Sequence, residues 1–278
     1  MAKNINGKNW ILTAADDGRF YSEPSDGEPL IVPSNRWAFY GDSQTALPGV
    51  ATAPCANHAT TFRTIWDANF TPATTVNIDG EGGMGLQRHN TRYNADTHYT
   101  NEWVHVQESG GQDEPGQLTA AQFKATFITF METIYANSPT GLITYETAYS
   151  FQRELEAGRN WDPYNAAMLE AVSELAARPT PITIRVVDVD TVIKRLVTAL
   201  GYGVVNQQVG VTPANYSVAN APYHYTEVGN LAIALAIFKR LHYDVRALDL
   251  SSVSTSTNQL GRVTTAHVAA CLDAVDPV

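Results

Sequence analysis

The chain has 278 residues, with 18 lysines and arginines against 28 aspartates and glutamates, a formal charge of −10, and 44% hydrophobic and 17% charged side chains. This is the composition of a globular protein able to bury a sizeable core, and it excludes a disordered chain. The acidic surplus argues against a nucleic-acid partner, two cysteines (Cys55 and Cys271) exclude a disulfide framework while leaving one bridge open, and no apolar run reaches the roughly 18 residues of a membrane helix.

Residues 1–34 read as an irregular extension. Lysines near the start have no apolar segment behind them, so no signal peptide is expected. The protein should be soluble: cytoplasmic, or brought to a phage or extracellular surface by another route. Asp16-Asp17-Gly18 and Ser25-Asp26-Gly27 are turn signals, with Pro24, Pro29 and Pro33 around them. Trp37-Ala38-Phe39-Tyr40 is the first candidate strand, stopped by Gly41. Strands are also expected over 74–78, 102–107, 142–145 and 182–187, the last rich in β-branched residues.

Helices are expected between them. Thr119-Ala120-Ala121-Gln122 is a capping box, and Phe123, Phe127, Phe130, Met131 and Ile134 follow on one helical face. Asp162-Pro163 reads as an N-cap followed by proline at the first helical position, ahead of Met168, Leu169, Val172 and Leu175. Further helices are expected over 191–200, closed by Gly201, and over 226–241. An α/β domain should therefore span 35–245. Residues 246–278 should form a tail, polar at first, with a short helix within 263–275.

Strands alternating with helices imply a parallel sheet covered on both faces, with ligands bound outside the carboxyl ends of the strands. Unusual residues gather there. Gly41-Asp42-Ser43-Gln44-Thr45 follows the first strand, although an ordinary turn would also use these residues. Asp79-Gly80-Glu81-Gly82-Gly83-Met84-Gly85 follows the second. It matches the dinucleotide fingerprint, which we reject because Asp79 and Glu81 would repel a pyrophosphate and residues 87–92 lack an apolar helical face. Glu108-Ser109-Gly110-Gly111-Gln112-Asp113 follows the third, and Tyr223-His224-Tyr225 opens the last core helix. His89, His98 and His105 lack a tight ligand spacing, so no metal site and no cofactor are expected.

Taken in order, Gly-Asp-Ser, a glycine cluster, Gly-x-Gln-Asp and His-x4-Gly resemble the SGNH (GDSL-type) hydrolase family over about residues 37–243. The resemblance implies a three-layer α/β/α sandwich on a flavodoxin-like, parallel five-stranded sheet. It implies an esterase or carbohydrate O-deacetylase acting on a small-molecule or carbohydrate ester. Ser43 matches the nucleophile and His224 the base. Gly83, with Gly82 the nearby alternative, matches the oxyanion-hole glycine, beside the Ser43 amide and Gln112. Tyr164-Asn165 and Val187-Asp188-Val189-Asp190 resemble the family's middle region.

Two positions depart from the pattern. Gln112 stands where the family has asparagine, and Ala221 stands where it has the acid of the triad. The histidine would then be oriented by a backbone carbonyl or by a relocated acid, Asp188 or Asp190, while Glu227 serves the helix start. The gap at Ala221 keeps a second function class open: a catalytically weak carbohydrate- or ligand-binding module on the same fold. Tyr145, Tyr149, Phe151, Trp161, Tyr223 and Tyr225 would be core or rim more often than substrate platforms.

Overall fold

The computed structural model describes residues 2–5, 8–14, 20–23, 36–42, 44–45, 57–70, 75–83, 85–108, 118–149, 161–201, 205, 225–254 and 263–277. It begins with three antiparallel strands, β1 (Ala2–Ile5), β2 (Lys8–Ala14) and β3 (Phe20–Glu23), paired in that order. Within the extension expected to be irregular, the described residues are thus strands. Asn6-Gly7 separates β1 from β2 in the sequence, the pair that two-residue hairpin turns favour. Asp16-Asp17-Gly18 likewise separates two paired strands.

The main sheet comprises β4 (Arg36–Gly41), β5 (Thr75–Gly80), β6 (Trp103–Val106), β7 (Leu142–Glu146) and β8 (Ile184–Val187). All four pairings are parallel, in the order β5-β4-β6-β7-β8. The helices are α1 (His58–Asn69), α2 (Leu86–Ala95), α3 (Ala120–Asn137), α4 (Asp162–Ala176), α5 (Val189–Leu200), α6 (Glu227–Arg240), α7 (Ser251–Ser254) and α8 (Thr265–Val275). This is the expected flavodoxin-like sandwich.

Strand alternation divides the core in two. Trp37, Phe39 and Trp103 pack with α1, α5, α6 and α8 on one face, while Ala38, Tyr40, Val104 and Val106 pack with α2, α3 and α4 on the other. The expected capping box forms at α3: Thr119 Oγ1 accepts from the Gln122 amide at 3.2 Å, and Gln122 Oε1 from the Thr119 amide at 2.8 Å. In α4, Asp162 is the first helical residue and Trp161 the cap, one place earlier than the sequence suggests.

Helices α1 and α2 are additions to the sequence reading. The buried face of α2 is Leu86, His89 and Tyr93, so its stripe contains only one aliphatic side chain. The glycine cluster does lead into a helix, and Asp79 and Glu81 are both bound by Arg92 of α2, which offsets part of their charge.

The short helix expected within 263–275 is α8, and it packs into the core. Cys271, Ala274 and Val275 of α8 join the core around α6, and the free Cys271 thiol donates to the Val228 carbonyl at 3.4 Å. Lys239 pairs with Asp276 at 2.8 Å and Arg246 with Asp273 at 2.7 Å. With α1, α5 and α8 around it, α6 is buried from Glu227 to Phe238. No described helix is long and apolar enough to cross a membrane.

Candidate active site

After β4 the chain goes to the edge strand β5 and then crosses to β6 on the other side of β4. Strand order reverses here, and parallel sheets bind ligands outside the carboxyl ends of the strands at such a point. Gln107 follows β6 directly, its amide donating to the Tyr40 carbonyl at 2.9 Å. Its side chain ties the turn after β4 in place: Nε2 donates to Asp42 Oδ1 at 2.9 Å, and Oε1 accepts from Thr45 Oγ1 at 2.6 Å. Asp42 Oδ1 also accepts from the Gln44 amide at 2.8 Å, and the Asp42 carbonyl from the Thr45 amide at 3.1 Å. Asn57 donates to the Thr45 carbonyl at 2.6 Å while its Oδ1 caps α1 through the Thr60 amide. Asp42, Gln44, Thr45, Asn57 and Gln107 are all buried.

Gly41 makes this turn possible. A Cβ there would lie 2.1 Å from Thr45 Oγ1 and 2.5 Å from Gln107 Oε1, so any side chain would break the network. The residues flanking position 43 are thus held on both sides. Ser43 itself lies outside the described residues, as do Gln112, His224 and Ala221.

The turn after β5 lies beside it, with the Glu81 amide donating to the Gly41 carbonyl at 3.2 Å. Arg92 clamps this segment, giving Nε to Asp79 Oδ2 at 2.8 Å and Nη1 to Glu81 Oε2 at 2.7 Å. Burial raises the Asp79 pKa against the opposing pull of Arg92. Gly83 has φ +71°, a conformation that L side chains rarely adopt, although a Cβ would meet nothing within 4 Å.

Asp188 and Asp190 have local partners. Asp188 Oδ1 caps α5 by accepting from the Thr191 amide at 3.2 Å, and receives Thr147 Oγ1 at 3.4 Å. Asp190 forms an ion pair with Lys194, and its amide donates to Thr147 Oγ1 at 3.0 Å. Glu227 sits buried in the first turn of α6, where its charge suits the helix dipole. Gly229 is required for packing, since a Cβ there would lie 2.7 Å from the Val205 carbonyl.

No family model and no curated protein matches the sequence. Solved structures do match. LAE5, an α/β hydrolase from the metagenome of Lake Arreo, Spain, aligns with a TM-score of 0.57 at 15% identity, covering 77% of this chain and 97% of its own. Axe2, an acetylxylan esterase from Geobacillus stearothermophilus, aligns at 0.56 and 16% identity, covering 78% and 98%. A member of the lipolytic G-D-S-L family from Veillonella parvula aligns at 0.50 and 12%, covering 73% and 96%. The chain has the SGNH hydrolase fold.

Within this SGNH fold, the motif at Tyr164-Asn165 has a structural explanation. Asn165 brackets Ala148 just past β7, donating to its carbonyl at 2.8 Å and accepting from its amide at 3.0 Å. The aromatics are core: Tyr145, Tyr149, Trp161 and Tyr225 are buried, while Phe151 and Tyr223 lie outside the described residues.

Two buried polar groups carry no motif in the sequence. Gln107, which organises the turn after β4, belongs to no motif. His58 at the start of α1, His105 on β6 and Glu146 at the end of β7 are buried together, with one ligand atom from each lying within 4.8 Å of the others. Burial lowers the His58 pKa to about 4 and that of His105 to about 3, and raises that of Glu146 to about 7. No sequence spacing announces this cluster; parallel pairing of β6 with β7 creates it.

Proposed function

We propose that the protein hydrolyses carboxylic esters through an acyl-enzyme on Ser43, and that O-acetyl groups on carbohydrates are its substrates. His224 takes the hydroxyl proton as Ser43 Oγ attacks the ester carbonyl. The Ser43 amide, the Gly83 amide and the Gln112 side chain stabilise the oxyanion, each such donor being typically worth about 10²–10³ in rate. Collapse expels the alcohol, which takes the proton from His224. Water, deprotonated by His224, then attacks the acyl-enzyme and frees the acid and Ser43.

The observation that carries this reading is the buried network of Gly41, Asp42, Thr45 and Gln107 at the switch point of an SGNH fold. An ordinary turn does not need a buried carboxylate and a buried amide to hold both flanks of one serine. The Axe2 likeness favours acetylated carbohydrate over long-chain lipid. The local engagements of Asp188 and Asp190 favour a backbone carbonyl as the partner of His224 in a Ser–His pair.

The test is turnover of p-nitrophenyl acetate and acetylated xylo-oligosaccharides, with fluorophosphonate labelling mapped by mass spectrometry. Turnover abolished by Ser43→Ala, with the label on Ser43, is the expected result. Labelling at another serine overturns the nucleophile assignment. If no ester is turned over and nothing is labelled, the binding-module reading takes its place, which Ala221 in the acid position already favours.

A further inference from the structure

The cluster of His58, His105 and Glu146 has no part in the ester chemistry above. Its three side chains come from α1, β6 and β7 and meet on the α1 side of the sheet. Phe39 walls it, with its ring 5.0 Å from that of His105 and 6.2 Å from that of His58. Neither ring nitrogen of His58 has a hydrogen-bond partner, and neither do His105 Nε2 and Glu146 Oε2. Buried polar atoms are nearly always bonded, so three residues that bring such atoms within 4.8 Å of one another require an explanation.

We propose that His58, His105 and Glu146 bind a structural divalent transition-metal ion, Zn²⁺ by its donor chemistry. Two imidazoles and a carboxylate form a nitrogen-rich, borderline donor set that suits zinc, whereas magnesium and calcium take oxygen ligands. His105 Nε2 and Glu146 Oε2 are 3.4 Å apart. Bonds of about 2.0–2.1 Å in a tetrahedral zinc site put neighbouring ligand atoms about 3.3 Å apart, so this edge already has the required length. The other edges lie within 4.8 Å and would have to shorten on binding.

The surroundings fit as well. His105 Nδ1 lies 2.8 Å from Thr144 Oγ1, which also accepts from Trp103 Nε1 at 3.0 Å. With Nδ1–H donated to Thr144, the lone pair of Nε2 faces Glu146 and the cluster, the outer-shell arrangement that orients metal-binding histidines. The ion would tie the first residue of α1 to β6 and β7. The preceding residue, Asn57, holds the Thr45 carbonyl, so the site would brace the turn after β4 from below.

The assignment rests on the fold and not on ester turnover, so it is tested without an activity assay. Tag-free protein is stripped with a chelator, shown by circular dichroism to be folded, and titrated with Zn²⁺ by calorimetry and thermal melting. A single Zn²⁺ should bind per chain, and Tm should rise by about 5–10 °C with free metal a hundredfold over Kd. Co²⁺ should give the visible absorption bands of a tetrahedral site. His58→Gln, His105→Gln and Glu146→Gln should each abolish binding, while His267→Gln, at the start of α8, should not. Where a variant fails to fold, X-ray absorption of the zinc-loaded wild type decides, two imidazole ligands being expected. A Tm unmoved by zinc, binding that survives all three variants, or a zinc shell without two imidazoles overturns the proposal.

Discussion

Gln107 and Asp42 meet beyond the carboxyl ends of β6 and β4, Gln107 Nε2 donating to Asp42 Oδ1 at 2.9 Å while Gln107 Oε1 accepts from Thr45 at 2.6 Å. An amide suits this place because it donates and accepts at once. Gln107→Leu removes both bonds from buried partners and should cost about 1–3 kcal/mol of stability, measured by urea denaturation. Turnover should fall through kcat more than KM, because the flanks of Ser43 loosen. Gln107→Glu should be worse, since it sets a second carboxylate against Asp42. An unchanged urea midpoint in Gln107→Leu would show that these bonds contribute nothing.

Gln112→Ala should lower kcat by about 10²–10³ with little change in KM, the signature of an oxyanion donor. Steady-state kinetics on an acetyl ester measure this. A kcat equal to that of the wild type would remove Gln112 from the site.

Asp188→Asn and Asp190→Asn should each keep activity within about threefold, against a loss of about 10⁴ for a true triad acid. Asparagine caps a helix about as well as aspartate, so Asp188→Asn tests the charge while preserving α5. Asp188→Ala should instead cost about 0.5–2 kcal/mol through the lost cap. Abolished turnover in either folded Asn variant would place the acid beside β8.

His89 gives a pH prediction. Burial, with the nearby Arg92 charge, lowers its pKa to about 3 from the ordinary 6.5, so it is neutral in the folded protein. Between these values the unfolded chain binds more protons, so stability is complete above about pH 6.5 and falls as pH drops toward 3. One such group contributes a slope of up to about 1.4 kcal/mol per pH unit. Urea unfolding at several pH values, comparing wild type with His89→Gln, isolates the His89 share. Parallel curves for the two proteins would contradict the assignment.

Much of the main sheet was legible in the sequence, because buried parallel strands such as Trp37-Ala38-Phe39-Tyr40 are continuous apolar runs between glycines and polar loops. The order of short motifs after those strands gave the fold. What escaped was encoded differently. Helix α2 hides its buried face in Leu86, His89 and Tyr93, where polarity masks the period. The strands before Glu23 were obscured by the turn signals that separate them. Gln107 was invisible because nothing near it in the sequence needs an amide; Asp42 and Thr45 do, and only the pairing of β4 with β6 brings them together. His58, His105 and Glu146 were likewise united by tertiary structure alone.

The packing of α8 against α6 sets an order of events during synthesis. Helix α6 is apolar nearly all round, and Cys271, Ala274 and Val275 of α8 pack into the core around it. On a ribosome, the strands of the main sheet would emerge first, while the hydrophobic surface of α6 waits for the last of these residues to leave the exit tunnel. During that interval the nascent chain presents a sticky, unfinished core, the kind of surface that chaperones bind. Truncation before Thr265 would make that interval permanent, and such a chain should be degraded or aggregate even though every proposed catalytic residue is present.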